Sequence, residues 1–488
     1  MQQLNQLLPE IGLTVFALLV LMADPFLRGR QGRALYYIGI LSAALGLALL
    51  GLSYSAPEVY QGESQLWVVD PMSLYFKVLI LASALLTLFL SVEYGGPIEA
   101  HKGSYTALVL LACVGMMLLV SSTDLLMIFL SLELVSIASF ILVGFERRIR
   151  RSSEGAVKYY LMGAFSSAIM VYGISLFYGA TGTTQLAGVP PIFAQGPSTM
   201  FLMSCLMLLV GFGFKASMVP FHFWVPDAYE GAPTPIASFL SVAPKIAALA
   251  VMLRVFTHLI PHSALDMTTV FAALAMLTMT FGNLVAIFQN NVKRLFAYSS
   301  IAQAGYMLIG FVTGDSMGRE GLLLYALAYL FMNIGAFTVA EIIGNEGEPG
   351  TEKDPYDISA FNGLAKRNLG LALLMTFFLL SLAGIPPLAG FVGKFYLFAA
   401  AIKGRFFFLA LVAVLNSVVS VYYYMRIAYC MFFREPARDD APNVGLFLFS
   451  SLAVAAVGVF LVGILPEPFM EAVKASATLL PGVGSGLP

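Results

Sequence analysis

Apolar residues run along this chain in continuous blocks, closed off by short polar or charged segments. The blocks lie near residues 8–27, 35–54, 72–92, 105–121, 124–145, 155–178, 199–228, 234–256, 268–288, 292–313, 320–343, 369–402, 406–432 and 444–465. Most are about 17–25 residues long, which a helix rising 1.5 Å per residue needs to cross a ~30 Å hydrocarbon core. The pattern predicts about 14 transmembrane helices. Two blocks are too long for one straight span: 199–228 and 369–402 would reach roughly 45 and 50 Å. Both hold glycine and proline at their middles, from Gly211 to Pro220 and from Pro386-Pro387 to Gly390. Each predicts a helix broken inside the membrane, tolerated where protein or water satisfies the freed backbone groups.

The polar segments set an orientation. Basic residues gather at Arg28–Arg33, Arg147–Arg151, Lys293–Arg294, Lys366–Arg367 and Arg434–Arg438, all on one side under this span count. The other side has Arg319, Lys403, Arg405 and Lys474. The positive-inside rule puts the basic side in the cytoplasm and, with an even number of spans, both termini on the far side. The start, Met1-Gln2-Gln3-Leu4, lacks a basic n-region and a small-residue cleavage signal, so the first span is expected to be retained. The longest loop, 344–368, is rich in Gly, Glu and Asp and is expected to be a cytoplasmic linker. The uncharged loop 179–198, with Pro190–Pro191 and Gly196–Pro197, is expected to pack on the outer face.

The first broken segment enters from outside, and the second runs the other way. This predicts an inverted repeat. The expected organisation is residues 1–104 as transmembrane helices 1–3, 105–256 as a first repeat (helices 4–8), 268–432 as a second, inverted repeat (helices 9–13), and 444–488 as the last helix and tail. The fold class is an all-α polytopic membrane protein with two inverted five-helix repeats, each containing a broken helix.

Composition agrees. Of 488 residues, 59% are hydrophobic and 11% charged, less than half the charged share of a soluble domain. A net charge of −1 argues against a nucleic-acid partner. Cys113, Cys205 and Cys430 sit in apolar runs without a CxxC pair, too few for a four-cysteine iron–sulfur cluster. The four histidines form no HExxH pattern, and no GxGxxG or Walker A loop occurs. No metal, nucleotide or redox cofactor is expected in this chain.

Against this apolar background, Lys215, Lys245 and Lys394 stand out. A lysine at mid-bilayer costs about 2.5–3.5 kcal/mol on insertion scales. Lys215 and Lys394 belong to the two broken segments. Lys245 follows Lys215 across a tight turn at 229–233, so adjacent antiparallel helices bring the two to similar depth. Ammonium groups close together in a low dielectric repel, which suits them to exchange protons. Glu133 lies nine residues past Asp124, roughly 14 Å into its span. The bland alternative for each is a fixed ion pair or hydrogen bond. His222, just after Pro220, reads either as a proton relay or as a packed polar residue. Lys158 reads either as a functional lysine or as one snorkelling to the surface, Lys77 as snorkelling, Arg254 and Arg426 as anchors at span ends, and Tyr422–Tyr424 as packing. Glu133, Lys215, Lys245 and Lys394 together suggest a line of titratable groups across the membrane, suited to protons more than to a bulky solute.

The segment Lys215-Ala-Ser-Met-Val-Pro-Phe-His-Phe-Trp-Val-Pro-Asp-Ala-Tyr-Glu-Gly-Ala-Pro-Thr-Pro235 resembles the signature of the antiporter-like subunits of respiratory complex I and of Mrp-type cation/proton antiporters. The resemblance spans about 105–432 and is looser over the flanking helices. Some branches of that family have a glutamate after the Pro-Pro break, and one carries a long lateral helix after its last span. Lys394 and the short tail here fit a different branch. The resemblance implies that Glu133 modulates Lys215 as its ion-pair partner, that Lys215 takes protons from the cytoplasm, that Lys245 is the central relay, and that Lys394 releases protons outward. Lys158 then matches a functional lysine. It implies a bacterial inner-membrane translocase subunit with periplasmic termini and no redox site of its own. Its partners would be other antiporter-like and small membrane subunits and lipid, with FMN, iron–sulfur clusters and quinone in other subunits. A Mrp-type Na⁺/H⁺ antiporter subunit and a non-pumping scaffold are the competing readings.

Overall fold

A computed structural model describes residues 7–27, 32–54, 60–61, 66–95, 101–188, 198–259, 266–347, 354–436 and 438–477. Its helices are α1 (Leu8–Ala23), α2 (Arg33–Tyr54), α3 (Pro71–Val92), α4 (Lys102–Ser121), α5 (Leu125–Val143), α6 (Arg150–Thr181), α7 (Thr199–Ala216), α8 (Trp224–Gly231), α9 (Thr234–Leu259), α10 (Met267–Ala286), α11 (Val292–Thr313), α12 (Ser316–Gly344), α13 (Leu364–Arg367), α14 (Leu369–Ala383), α15 (Ala389–Lys403), α16 (Phe407–Phe433), α17 (Leu446–Ile464) and α18 (Pro466–Ala477). Among the described residues, 12 helices are long and apolar enough to cross a membrane, and α1 and α14 are shorter apolar helices. The chain is a multi-pass membrane protein. A two-stranded ribbon, β1 (Tyr60–Gln61) with β2 (Val68–Val69), precedes α3.

The polar residues that end each apolar block become helix caps. Asp70 and Ser73 form a capping box at α3, with Pro71 in the first turn. Asp124, Asn291 and Asp315 accept from the first-turn amides of α5, α11 and α12. α9, α11 and α12 form the centre of the bundle, with 100%, 94% and 89% of their apolar windows buried. The outer helices turn apolar side chains outward instead, among them Phe165, Leu277, Val418 and Phe449. On a soluble protein that belt would be a liability; here it is the lipid-facing surface.

Both long blocks are broken as expected. The first stops at Ala216 and resumes as α8; the second stops at Ala383 and resumes as α15. The Val219–Pro220 and Pro386–Pro387 bonds within these breaks are cis.

Three features differ from the sequence reading. Residues 354–363 are no linker but a strap tied across one end of the bundle. The Val292 amide donates to the Tyr356 carbonyl (2.7 Å), Ile358 to Asn290 (2.8 Å) and Gly363 to Cys430 (3.0 Å). Arg254 and Lys77 are not surface anchors, since both are buried in ion pairs, with Asp70 and with Glu10 (2.6 Å). α18, which the apolar blocks did not predict, packs on α12 and α3. The start at Met1–Leu4, Arg28 and Arg30, the Pro190–Pro191 and Gly196–Pro197 stretch, residues 348–353 and the tail beyond 477 lie outside the described residues.

Candidate functional site

Lys215 is in the last turn of α7, where the chain breaks at Ser217 with φ 63°. The break frees helix carbonyls, and the Trp224 indole donates to that of Phe214 (3.0 Å). A cation beside a helix C-terminus is also favoured by the helix dipole. The buried Lys215 ammonium donates to the Tyr159 hydroxyl (3.1 Å) and lies 5.3–5.9 Å from the ring centres of Tyr159, Phe140 and Phe214. Tyr159 stacks on Trp224 at 4.1 Å. Glu133 is half-buried and accepts from Ser167 rather than from Lys215. The two are not in direct ion-pair contact.

Lys245 is fully buried on α9, next to Pro244. Proline has no N–H, so the carbonyl of Leu240 loses its helix partner. The Tyr229 hydroxyl takes that place (3.1 Å). The Lys245 ammonium donates to the carbonyl and hydroxyl of Ser300 on α11 (2.8 and 2.9 Å). Lys215 and Lys245, expected at similar depth on adjacent helices, donate to different neighbours, Tyr159 on α6 and Ser300 on α11.

Lys394, on α15, reaches back across its break to the end of α14. Its ammonium donates to the carbonyls of Leu382 (3.0 Å) and Ala383 (3.1 Å) and to the Ser417 hydroxyl (3.2 Å), over the Tyr306 ring at 4.5 Å. Gly384 makes this possible. Its φ is 88°, and a Cβ there would lie 2.9 Å from the lysine Cδ. A cavity of about 360 Å³ beside Lys394 is lined by Ile385, Phe395, Ile402, Val414 and Val418, which are apolar.

Gln303 shares an acceptor with Lys394. It sits one turn beyond Ser300 and donates to the Leu382 carbonyl (3.2 Å), which also accepts from Lys394. It also donates to Tyr424 (3.2 Å) and accepts from Tyr325, while Ser299 bonds Tyr424. From the sequence Tyr424 reads as packing, and Gln303 is missed. The signal was there: Ser299, Ser300 and Gln303 recur at helical spacing in an otherwise apolar block.

Lys158 belongs to a separate, half-exposed network at the strap end of the bundle. It pairs with Glu154 (2.6 Å) and Asp227 (2.7 Å); Asp227 and Glu230 pair with Arg294 (2.6 and 2.8 Å). Arg151 continues the network to Asp354. Burial opposes ionisation of the Asp354 carboxyl, but the Tyr356 amide and Arg151 outweigh it and hold it below the usual value. His222 is buried against Phe281 and Phe223, each 4.5 Å between ring centres. It is not part of either cluster.

A family model described as NADH:quinone oxidoreductase/Mrp antiporter, transmembrane, matches residues 122–420. The chain is 40% identical to NADH-quinone oxidoreductase subunit N of Trichlorobacter lovleyi, over 98% of this chain and 97% of that one. It is 43% identical to the subunit N of Moorella thermoacetica, over 90% and 97%. Among solved structures, a chain of respiratory complex I from Thermus thermophilus with bound aureothin superposes with a TM-score of 0.82 at 33% identity, covering 96% of this chain and 99% of that one.

Proposed function

This chain belongs to the NADH:quinone oxidoreductase/Mrp antiporter transmembrane family, and on that premise we propose how it works within the complex. It is a proton-pumping membrane subunit of complex I, held among other membrane subunits. Its membrane is the bacterial inner membrane, with the basic loops in the cytoplasm and both termini periplasmic. The chain carries no redox site; FMN, iron–sulfur clusters and quinone chemistry reside in other subunits. Residues 105–256 and 268–432 are the inverted repeats.

Protons move through the buried lysines. Lys215 takes a proton from the cytoplasmic side, with Glu133 tuning its charge and Lys158 and His222 near its uptake side. Lys245 is the central relay, and Lys394 hands protons to the periplasm. One observation carries this reading: the Leu382 carbonyl at the second helix break accepts from both Lys394 and Gln303, and Gln303 sits one turn along its helix from the Ser300 that holds Lys245. A non-pumping scaffold gives no reason to gather buried lysines and Gln303 around one broken helix.

The test is Lys245→Ala in the assembled complex in inverted membrane vesicles. Protons pumped per NADH should fall sharply. Pumping at the parental ratio would sink the relay. A pumping rate that requires Na⁺ would favour the Mrp-type exchange instead.

A further inference from the structure

A second group of buried polar residues lies between Lys245 and the face with the basic loops. Glu341, near the end of α12, is fully buried. Thr234 and Asn345 are polar neighbours, yet among the described residues neither carboxylate oxygen accepts a hydrogen bond of normal geometry. Lys293, in the first turn of α11, is buried beside it; its ammonium donates to the Ala232 carbonyl (2.6 Å) and lies 4.6 Å from the Tyr356 ring centre. The charges of Glu146 and Glu341 both act on Lys293. Tyr94 donates to Glu146 (2.7 Å), and Thr234 donates to the Tyr356 hydroxyl (2.7 Å). Tyr356 belongs to the strap, so the strap reaches this cluster.

From the cluster a polar seam leads inward. On α9, Thr234, Ser238, Ser241 and Lys245 follow each other at steps of four, three and four residues. That spacing lines one helix face over about 16 Å. α12 packs on α9 and brings Asn333 to the seam, where its amide donates to Ser241. Among the described residues, Ser238 Oγ and Asn333 Oδ1 are buried without a partner. A buried polar group left unpaired costs about 1–3 kcal/mol. Several along one line, ending at a buried carboxyl, suit a route that water visits.

We propose that Glu341 and Lys293 form a cytoplasmic proton-loading site for Lys245, and that the seam of Thr234, Ser238, Ser241 and Asn333 carries the proton between them over bridging waters. The route runs beside the one through Lys215, and it rests on the relay and orientation proposed above. The Glu341 carboxyl gives up its proton to the seam. Each O–H bond broken along the way is replaced by the next one formed, and the last proton binds the Lys245 amine. Cytoplasmic water reloads Glu341 when the Tyr356 strap moves aside.

The experiment measures protons pumped per NADH by inverted vesicles holding complexes assembled to parental level. Glu341→Gln and Ser238→Val should each lower the ratio, and Glu341→Asp and Ser238→Thr should restore it. Merely structural roles would not follow that pairing, since valine matches threonine in shape. Parental ratios in both Glu341→Gln and Ser238→Val, with Lys245→Ala still defective, overturn the seam and leave the relay standing. A parental ratio in Lys245→Ala overturns the relay itself.

Discussion

Arg254 on α9 and Asp70 at the cap of α3 form a two-armed ion pair, 2.9 Å on each arm, with both side chains buried. The guanidinium also donates to the Val120 carbonyl (3.2 Å), so one side chain ties together α9, α3 and α4. Breaking a buried pair leaves an uncompensated charge, whereas replacing both partners removes the desolvation cost as well. Arg254→Met should destabilise the subunit by about 3–5 kcal/mol. Arg254→Met combined with Asp70→Leu should recover part of that loss. Thermal unfolding of the complex in detergent reads both.

Tyr229 and Pro244 are coupled through the Leu240 carbonyl. Tyr229→Phe removes the hydroxyl that donates to that carbonyl and should cost about 1–3 kcal/mol. Pro244→Ala restores a helix N–H to the same carbonyl, so the double variant should be less destabilised than the two single effects summed. Strict additivity in thermal stability would show that the hydroxyl does not substitute for the missing N–H.

Gly384 serves Lys394 in two ways, through its left-handed backbone and through the space it leaves. Gly384→Ala should destabilise by about 1–3 kcal/mol, since the backbone is strained for any L side chain. Adding Lys394→Ala removes the contact with Cδ but not the strain, so stability should be only partly regained. Full recovery would place the whole cost in the contact.

The strap should respond to acid through Asp354. Its folded-state carboxyl is held below the usual range, so the stabilisation is present above the unfolded value of about 3.9 and fades as pH falls through the folded value. Neutral and mildly acidic conditions should leave the strap closed. Below about pH 4, proteolytic cleavage within 354–363 should rise, and Asp354→Asn should show that exposure already at neutral pH. Unchanged cleavage in the variant would assign the strap's hold to its backbone bonds alone.

Much of this protein was legible in its sequence. The spans, both helix breaks and the three costly lysines follow from apolar block length and from the price of burying charge, which act locally along the chain. The N-caps at Asp70, Asp124 and Asp315 follow equally from short-range hydrogen bonding. What each buried polar group bonds to is a matter of which helices meet, and no local pattern contains that. Arg254 reads as an anchor until α3 brings Asp70 to it. Lys215 and Lys245 read only as lysines at similar depth, and packing gives one to Tyr159 and the other to Ser300. Gln303 reads as one more polar residue until α14 presents Leu382. The sequence determined where charge and broken backbone enter the membrane; the tertiary structure decided which of them touch, because in a low-dielectric interior each must find its partner on another helix.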